Sequence, residues 1–482
     1  MNSTFISLIV LGAFFVFLGW RRRQLLELEG EQSKTEPNAW AKLREIVAGI
    51  FTVIGSGEYG LAFALLLAYG FFGPTFVLGL AGSLFVLSFF VPKLIGQFSV
   101  TESPWTIIDG YRNFTTPDFI FTHHGNPASS VATAITAIAF SAILVVQFVV
   151  GGALLVGITG TPYWTGVLLM ALIVALYVIL GGFGAIFNTD VWQGVLMWIA
   201  LIGVLIYLFL FNGSSENLGT ASSELWDQTI SSLKNLGEDP TLISLFLATL
   251  VAAFSGPDIW QRIHMSDSVK KGKTAARYAG STFVLFLVPL ALLAIHMHAV
   301  GPYPEGSDPF IEYINLVSGT GSEAWPPLIS IFFAVGLVSA FVSTADTSVM
   351  LATTAIQNEW RRLTGVSVDA DRRLDRKQTI YLIIIITAIC SAFAVTQPDV
   401  ANQFTGVLSM LAALGVPTFL TLLGFGNKWL VFAALVLGAV ISLALTFIFP
   451  DYNDGYYLLL PMIPGLLCLF RKTNSSKAQV PT

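Results

Sequence analysis

The sequence predicts an all-α polytopic membrane protein of about thirteen transmembrane helices, and three observations support this fold class. The 482-residue chain is 55% hydrophobic and only 11% charged, too few charged residues for the surface of a soluble protein of this length. Thirteen apolar stretches approach the roughly 20 residues that a helix needs to cross a bilayer. When these stretches are threaded alternately through a membrane, 23 of the 24 Lys and Arg residues fall on one side.

We number these stretches as spans 1 to 13 in chain order. Their approximate bounds are 3–20, 45–70, 74–98, 128–158, 162–182, 188–212, 241–263, 278–299, 326–356, 378–397, 403–426, 428–449 and 455–470. Basic residues resist translocation, so the sorted charges predict a cell (inner) membrane protein with its N-terminus outside and its C-terminus in the cytoplasm. Losing or adding one central span would scramble the sorting, which therefore supports the count independently. Span 1 is expected to be retained, because Arg21 to Arg23 follow it rather than precede it.

Several function classes find no support in the sequence. There is no basic patch with interleaved aromatic residues, so we expect no nucleic-acid partner. No glycine loop with a lysine is present to cradle a nucleotide phosphate, which argues against ATP-driven pumping. We therefore expect a transporter driven by a gradient rather than an enzyme, with no organic cofactor. Its expected partners are a small-molecule solute and the lipid bilayer, and the oligomeric state is left open.

Two spans carry glycine interruptions at corresponding places, Gly55-Ser56-Gly57 in span 2 and Ser255-Gly256-Pro257 in span 7. Helix breaks in lipid are tolerated only where the freed backbone groups are buried or line a cavity. A matched pair five spans apart is typical of a binding site between two inverted repeats; the alternative is glycine used only for close packing. The predicted divisions are 1–44 (first helix and linker), 45–212 (first repeat), 213–240 (extracellular loop), 241–426 (second repeat) and 427–482 (two helices and a cytoplasmic tail).

Three carboxylates lie at membrane depth: Glu58 after the first break, Asp258 after the second, and Asp346 inside span 9. Charged groups there are energetically costly, which makes each one a functional candidate. No Lys or Arg lies deep in a span, and Arg262, near the inner end of span 7, is the nearest. We therefore expect these carboxylates to lack a fixed basic partner and to meet Na⁺, H⁺ or a cationic substrate.

Span 9 also carries a polar face. On a helix Ala340, Ser343, Thr344 and Thr347 lie on one side. Two hydroxyls beside a free carbonyl suit Na⁺, a hard cation that prefers oxygen ligands. The alternative is that these hydroxyls bond back to the preceding turn of their own helix.

Four stretches together resemble a known family. They are residues 181–193 (Gly-Gly-Phe-Gly-Ala-Ile-Phe-Asn-Thr-Asp-Val-Trp-Gln), 255–262 (Ser-Gly-Pro-Asp-Ile-Trp-Gln-Arg), 343–346 (Ser-Thr-Ala-Asp) and, more weakly, 415–417 (Gly-Val-Pro). Over about residues 40–430 the chain resembles the sodium:solute symporter family, which contains bacterial proline, pantothenate and sialic-acid symporters and the sodium–glucose transporters. The resemblance implies a LeuT-type fold of two inverted five-helix repeats with an extra N-terminal helix, working by alternating access.

The resemblance also implies a sodium site. Its ligands would be the Ala340 carbonyl, the Ser343 and Thr344 hydroxyls, and the carbonyls of Thr52 and Gly55 in the broken span 2. A shift of one residue would move the last two to Val53 and Ser56. In some members a second site uses an aspartate and two hydroxyls, which here correspond to Asp190, Asp346 and Thr347. Because Asp346 is a carboxylate, this second site would bind a cation or a proton.

The solute would lie between spans 2, 4, 7 and 11. The candidate substrate contacts are Ser56, Gly57, Glu58, Gln147, Ser255 and Asp258. Glu58 favours a solute that carries an amine or a hydroxyl, since a bare carboxylate would be repelled.

The main hypothesis is sodium-coupled symport of a small polar organic solute by alternating access. One alternative is proton coupling through Glu58, Asp190 or Asp346. Another is a solute sensor that keeps the transporter fold without net flux. The sequence names neither the solute nor the stoichiometry.

Overall fold

The computed structural model describes residues 12–14, 16–17, 20–21, 39–51, 56–98, 107–108, 111–112, 114–211, 215–264, 266, 268–300, 327–365, 372–396, 400–449 and 455–471. The α-helices are α1 (Ala39–Phe51), α2 (Ser56–Tyr69), α3 (Thr75–Phe98), α4 (Thr116–His124), α5 (Asn126–Thr159), α6 (Tyr163–Phe211), α7 (Ser215–Lys234), α8 (Thr241–Leu250), α9 (Ala252–Ser255), α10 (Pro257–His264), α11 (Val269–Val300), α12 (Pro327–Thr364), α13 (Arg372–Thr396), α14 (Val400–Leu422) and α15 (Lys428–Phe447). Gly70–Phe72 and Gly455–Phe470 are 3₁₀ segments, and β1 (Ile107–Ile108) pairs antiparallel with β2 (Tyr111–Arg112).

Most predicted spans appear as helices close to their expected bounds. Within the described ranges, nine helices are long and apolar enough to cross a membrane, or ten if one bent pair counts as a span. Spans 5 and 6 are the two halves of α6, which meet at a kink at Gly182. Gly182 has φ +66°, a left-handed conformation that glycine adopts without strain. Span 1 lies mostly outside the described residues, so the count of thirteen stays a prediction.

Both predicted breaks fall between helices. In span 2, α1 ends at Phe51 and α2 begins at Ser56, and residues 52–55 lie outside the described part of the chain. In span 7, α9 ends at Ser255 and α10 begins at Pro257, with a bend of 45°. Proline is suited to the first helical position because its missing N–H would have no partner there.

The predicted outer loop 213–240 contains a helix that the sequence reading did not include. This helix, α7, packs against the 3₁₀ turn that follows α2. There the Phe71 N–H donates a 2.8 Å hydrogen bond to the Thr229 hydroxyl. His298 at the end of α11 lies 2.7 Å from Glu224 of α7. The segment is therefore tied to α2 and α11 rather than being a plain connector.

The short helix α4 reaches the break in span 7. The Thr116 hydroxyl donates a 3.2 Å hydrogen bond to the Ser255 carbonyl, which the break leaves without a helical partner. Asp118 of the same helix lies 3.5 Å from the buried Arg362 guanidinium of α12. Burial lowers the pKa of His124 to about 4, so its ring is neutral at physiological pH. The helix thus joins the break to the C-terminal end of α12.

The helix α12 is held between α5 and α6, and it packs along both. At one point the approach is close, because a Cβ placed on Gly336 would lie 2.8 Å from the Cβ of Ala200 in α6. Close packing of this kind is typical of membrane helices, where small residues let backbones approach. It fixes the polar face of α12 against the second half of α6.

We predict that Gly415→Ala destabilises the protein, because α14 packs at this glycine against the junction between α8 and α9. A Cβ there would lie 2.6 Å from the Val251 carbonyl oxygen. Overpacking of this kind costs about 1–3 kcal/mol, which a lower unfolding temperature in detergent would report.

The matched control is Gly203→Ala in α6, where the nearest atom to an added Cβ is 3.8 Å away. It should be neutral or stabilising, since alanine is the better helix former. Equal stability of the two variants would contradict the close contact between Gly415 and Val251.

Candidate functional site

Two of the predicted substrate contacts meet at the start of α2. The Gln147 amide nitrogen of α5 donates a 3.1 Å hydrogen bond to the Glu58 carboxylate, and both side chains are buried. Glu58 lies in the first turn of α2, where the helix dipole favours a negative charge. Tyr59 follows it and packs on Phe286 of α11 at 4.3 Å between ring centroids. The amide thus orients a carboxylate beside the break in span 2.

Two more predicted substrate contacts, Ser255 and Asp258, lie at the break in span 7, and their side chains have different kinds of partner. The Ser255 hydroxyl donates to the Ala252 carbonyl at 2.9 Å, so this side chain is satisfied within its own turn. Asp258, in the first turn of α10, is buried and lies 3.5 Å from Arg262 one turn further on. Ser56 and Gly57 begin α2, and the Ser56 side chain lies outside the described part of the chain.

The expectation that the carboxylates at membrane depth lack a fixed basic partner is wrong for Asp258, and the same arginine also pairs with Asp190. The Arg262 side chain is only 2% exposed, and its Nη2 donates to the Asp190 carboxylate at 2.8 Å. The physical reason is the bend at Gly256, which turns α10 and carries Arg262 inward among the neighbouring helices. Gly49 of α1 leaves the space, since a Cβ there would lie 2.4 Å from the Arg262 Nε.

The three residues predicted for a second cation or proton site are brought together around this guanidinium. Arg262 Nη2 also donates to the Thr347 hydroxyl at 3.3 Å, and that hydroxyl donates to Asp346 Oδ1 at 3.3 Å. Asp190 and Asp346 are both fully buried. With Asp258, the cluster holds three carboxylates and one guanidinium among the described residues, so two negative charges remain to be offset by further cations or protons.

The residues of the predicted sodium site are described only in part. Ala340, Ser343 and Thr344 are buried on α12, which packs against α2. Thr52, Gly55 and the alternative Val53 fall within the undescribed stretch 52–55. The structure therefore describes three of the predicted ligands on a helix that contacts α2, and the sodium site as a whole stays a prediction.

Two further buried polar residues are not among the predicted site residues, although Gln193 ends the family-like stretch 181–193. Gln193 of α6 and Ser339 of α12 are both 0% exposed. Within the described part of the chain, neither amide atom of Gln193 nor the hydroxyl of Ser339 has a hydrogen-bond partner. The available signal was Gln193 itself, an amide in an apolar span one helical turn after Asp190.

The family of this chain is shown by a match to a family model. The model of the sodium:solute symporter family matches residues 52–434. The chain belongs to the sodium:solute symporter family. The high-affinity proline transporter PutP of Bacillus subtilis (strain 168) is 24% identical to it over 330 residues, which cover 63% of this chain and 64% of that protein. The sodium/pantothenate symporter of Escherichia coli (strain K12) is 24% identical over 341 residues, covering 68% and 67%. This symporter family chain thus spans about two thirds of the length of these relatives.

Solved structures agree with this assignment at the level of the fold. A Na⁺-coupled sialic acid symporter in a substrate-bound, outward-open state aligns with a TM-score of 0.71 and 14% identity over 96% of both chains. The structure of MhsT in complex with L-phenylalanine aligns with a TM-score of 0.57 and 17% identity, covering 88% of this chain and 98% of that one. The predicted LeuT-type fold is confirmed.

We predict that Arg262→Gln strongly destabilises this symporter family protein. The change leaves the buried Asp190 and Asp258 without their cation, and breaking a buried pair costs about 3–5 kcal/mol. The readouts are the unfolding temperature and the folded yield.

The double variant Arg262→Gln with Asp190→Asn should recover part of the loss, because the second change removes the stranded charge. Additive losses in the double variant would show that the two groups do not form the pair described above.

Proposed function

We propose that the chain is a secondary active transporter that couples Na⁺ to the uptake of a small polar organic solute by alternating access. The observation that carries this proposal is the buried face of Ala340, Ser343 and Thr344 on α12, a helix that contacts α2. Hydroxyl and carbonyl oxygens are the ligands that a hard cation prefers. Membership in the sodium:solute symporter family supports the choice of Na⁺.

Sodium would act by joining two parts of the structure. The hydroxyls of Ser343 and Thr344 belong to α12, and the carbonyls expected to complete the site, those of Thr52 and Gly55, belong to the break between α1 and α2. An ion shared between them favours the arrangement in which the two parts are close. The solute then binds with higher affinity to that state, and this difference in affinity is the coupling.

The solute site is proposed at the two breaks, around Glu58, Gln147 and Asp258. The Gln147 amide bonds Glu58 Oε2 at 3.1 Å and so fixes the direction of the carboxylate. A fixed carboxylate accepts hydrogen bonds from an amine or a hydroxyl and repels an anion. Asp258 is held by Arg262, so Glu58 is the stronger candidate for direct recognition.

Proton coupling is the second candidate, and the carboxylate cluster favours it. Asp190 and Asp258 pair with Arg262, and Asp346 is joined to them through the Thr347 hydroxyl. A proton on Asp346 would offset one of the two excess negative charges, as a second Na⁺ would. A solute response that follows pH and persists when Na⁺ is removed would favour this candidate over Na⁺ coupling.

We predict that Thr344→Ala lowers the apparent Na⁺ affinity by about tenfold or more, the effect of losing one good ligand. The measurement is the rise of the unfolding temperature of purified protein with NaCl, at constant ionic strength with choline chloride, because bound ion stabilises the folded state.

The matched control is Thr353→Ala, which removes a buried hydroxyl from the same helix outside the proposed site. It should keep the wild-type Na⁺ response. A Thr344→Ala variant with an unchanged Na⁺ response would sink the proposed sodium site.

We also predict that Glu58→Gln abolishes stabilisation by the solute while Na⁺ still stabilises the protein. The probes are zwitterionic amino acids, amines and hydroxylated acids, proline and pantothenate among them, added with and without Na⁺. The amide keeps the shape and loses the charge that holds an amine.

Two results would contradict the proposed role of Glu58. A solute that stabilises wild type and Glu58→Gln to the same extent, or one bearing only a carboxylate, would show that Glu58 does not recognise the cargo. Counterflow of that solute in liposomes then separates transport from sensing.

A further inference from the structure

Gln193 is a buried amide that makes no hydrogen bond within the described part of the fold. It is 0% exposed within α6, and its amide oxygen and nitrogen have no hydrogen-bond partner among the described residues. Buried polar groups are nearly always hydrogen-bonded, because an unmade bond costs the full desolvation of the group. Such a side chain in a membrane span points to a ligand.

The position of Gln193 relative to α12 follows from two contacts. At one end, Asp190 of α6 and Thr347 of α12 both accept from Nη2 of Arg262, at 2.8 and 3.3 Å. At the other end, Ala200 of α6 meets Gly336 of α12, where an added Cβ would lie 2.8 Å away. Residue numbers increase along α6 in the direction in which they decrease along α12, so the two helices run antiparallel along this interface.

This alignment places Gln193 opposite the proposed sodium ligands. Gln193 lies three residues beyond Asp190, about 4.5 Å along the axis. The α12 residues at the same height as Gln193 therefore lie three or four positions before Thr347, and they are Thr344 and Ser343. Gln193 also shares the face of Asp190, which contacts the Arg262 cluster between the helices.

Two more polar groups lie at neighbouring levels of α12. The Ser339 hydroxyl, one turn before Ser343, is fully buried and has no partner in the described structure. The fully buried Asp346 carboxylate lies three residues after Ser343 and accepts from the Thr347 hydroxyl. An unsatisfied hydroxyl and a buried carboxylate thus lie on the two sides of Ser343, and the carboxylate favours a cation over an anion.

We propose that Gln193 is a ligand of the coupling Na⁺, contributing its amide oxygen from α6 to the site on Ser343 and Thr344. This inference rests on the proposed function and adds a third helix to the ion site. An amide oxygen is a hard donor of the kind that oxygen-seeking cations take. Ser339, one turn away, supplies a neighbouring hydroxyl oxygen.

The test separates a ligand from a merely unsatisfied group. Gln193→Leu removes both amide atoms at similar volume and should raise the unfolding temperature in choline chloride. If Gln193 is a ligand, the same variant loses Na⁺ affinity, with a half-saturating NaCl concentration about tenfold higher than in wild type. If it is only an unsatisfied group, the variant gains stability and keeps the wild-type half-saturation.

The matched control is Thr387→Val in α13, which removes another buried hydroxyl without a partner among the described residues. It should gain stability and keep the Na⁺ response. Should Gln193→Leu not fold, Ser339→Ala, the smaller change, provides the same readout and is expected to weaken Na⁺ binding as well. Wild-type half-saturation in Gln193→Leu overturns the proposal, and, should that variant not fold, wild-type half-saturation in Ser339→Ala does so.

Measuring Thr344→Ala in the same series distinguishes a failure of this inference from a failure of the proposed function. Loss of the Na⁺ response in Thr344→Ala but not at Gln193 or Ser339 overturns this inference alone. No Na⁺ response in wild type overturns the proposed function, and this inference with it.

Discussion

The buried guanidinium of Arg262 is the interaction on which the polar centre of this protein depends. It lies within 2.8 Å of Asp190 and 3.5 Å of Asp258, and it donates to Thr347. These groups belong to three different helices, so one side chain fixes their relative positions. A charge buried at this depth is stable only when paired, and it therefore holds the helices together around itself.

The two helix breaks make this arrangement possible. The bend at Gly256 brings Arg262 inward and frees the Ser255 carbonyl, which Thr116 of α4 then satisfies. The break before Ser56 places Glu58 in the first turn of α2, within reach of Gln147. Irregular backbone at membrane depth is thus kept where protein groups surround it. It is also where the polar side chains collect, which is why we propose the ion and solute sites there.

Much of the fold could be predicted because a bilayer imposes a simple rule on each span. Apolar length locates helices such as α5 and α14, and glycine with proline locates the bend at residues 255–257. The helix in 213–240 was not predicted, because that segment is polar and its helix depends on contacts such as Phe71 with Thr229. The family resemblance added the LeuT-type fold, which spacing by itself suggested only as an inverted repeat.

The sequence alone determined which residues are costly to bury: Glu58, Asp190, Asp258 and Asp346 are chemically conspicuous wherever they lie in an apolar span. Only the tertiary structure decided which of them are partnered, since Arg262 reaches Asp190 across 72 positions of the chain. It also decided that Gln193 faces the level of Ser343, which follows from the register of two antiparallel helices. Hydropathy is a property of each segment, whereas pairing and register arise between segments, and no single segment encodes them.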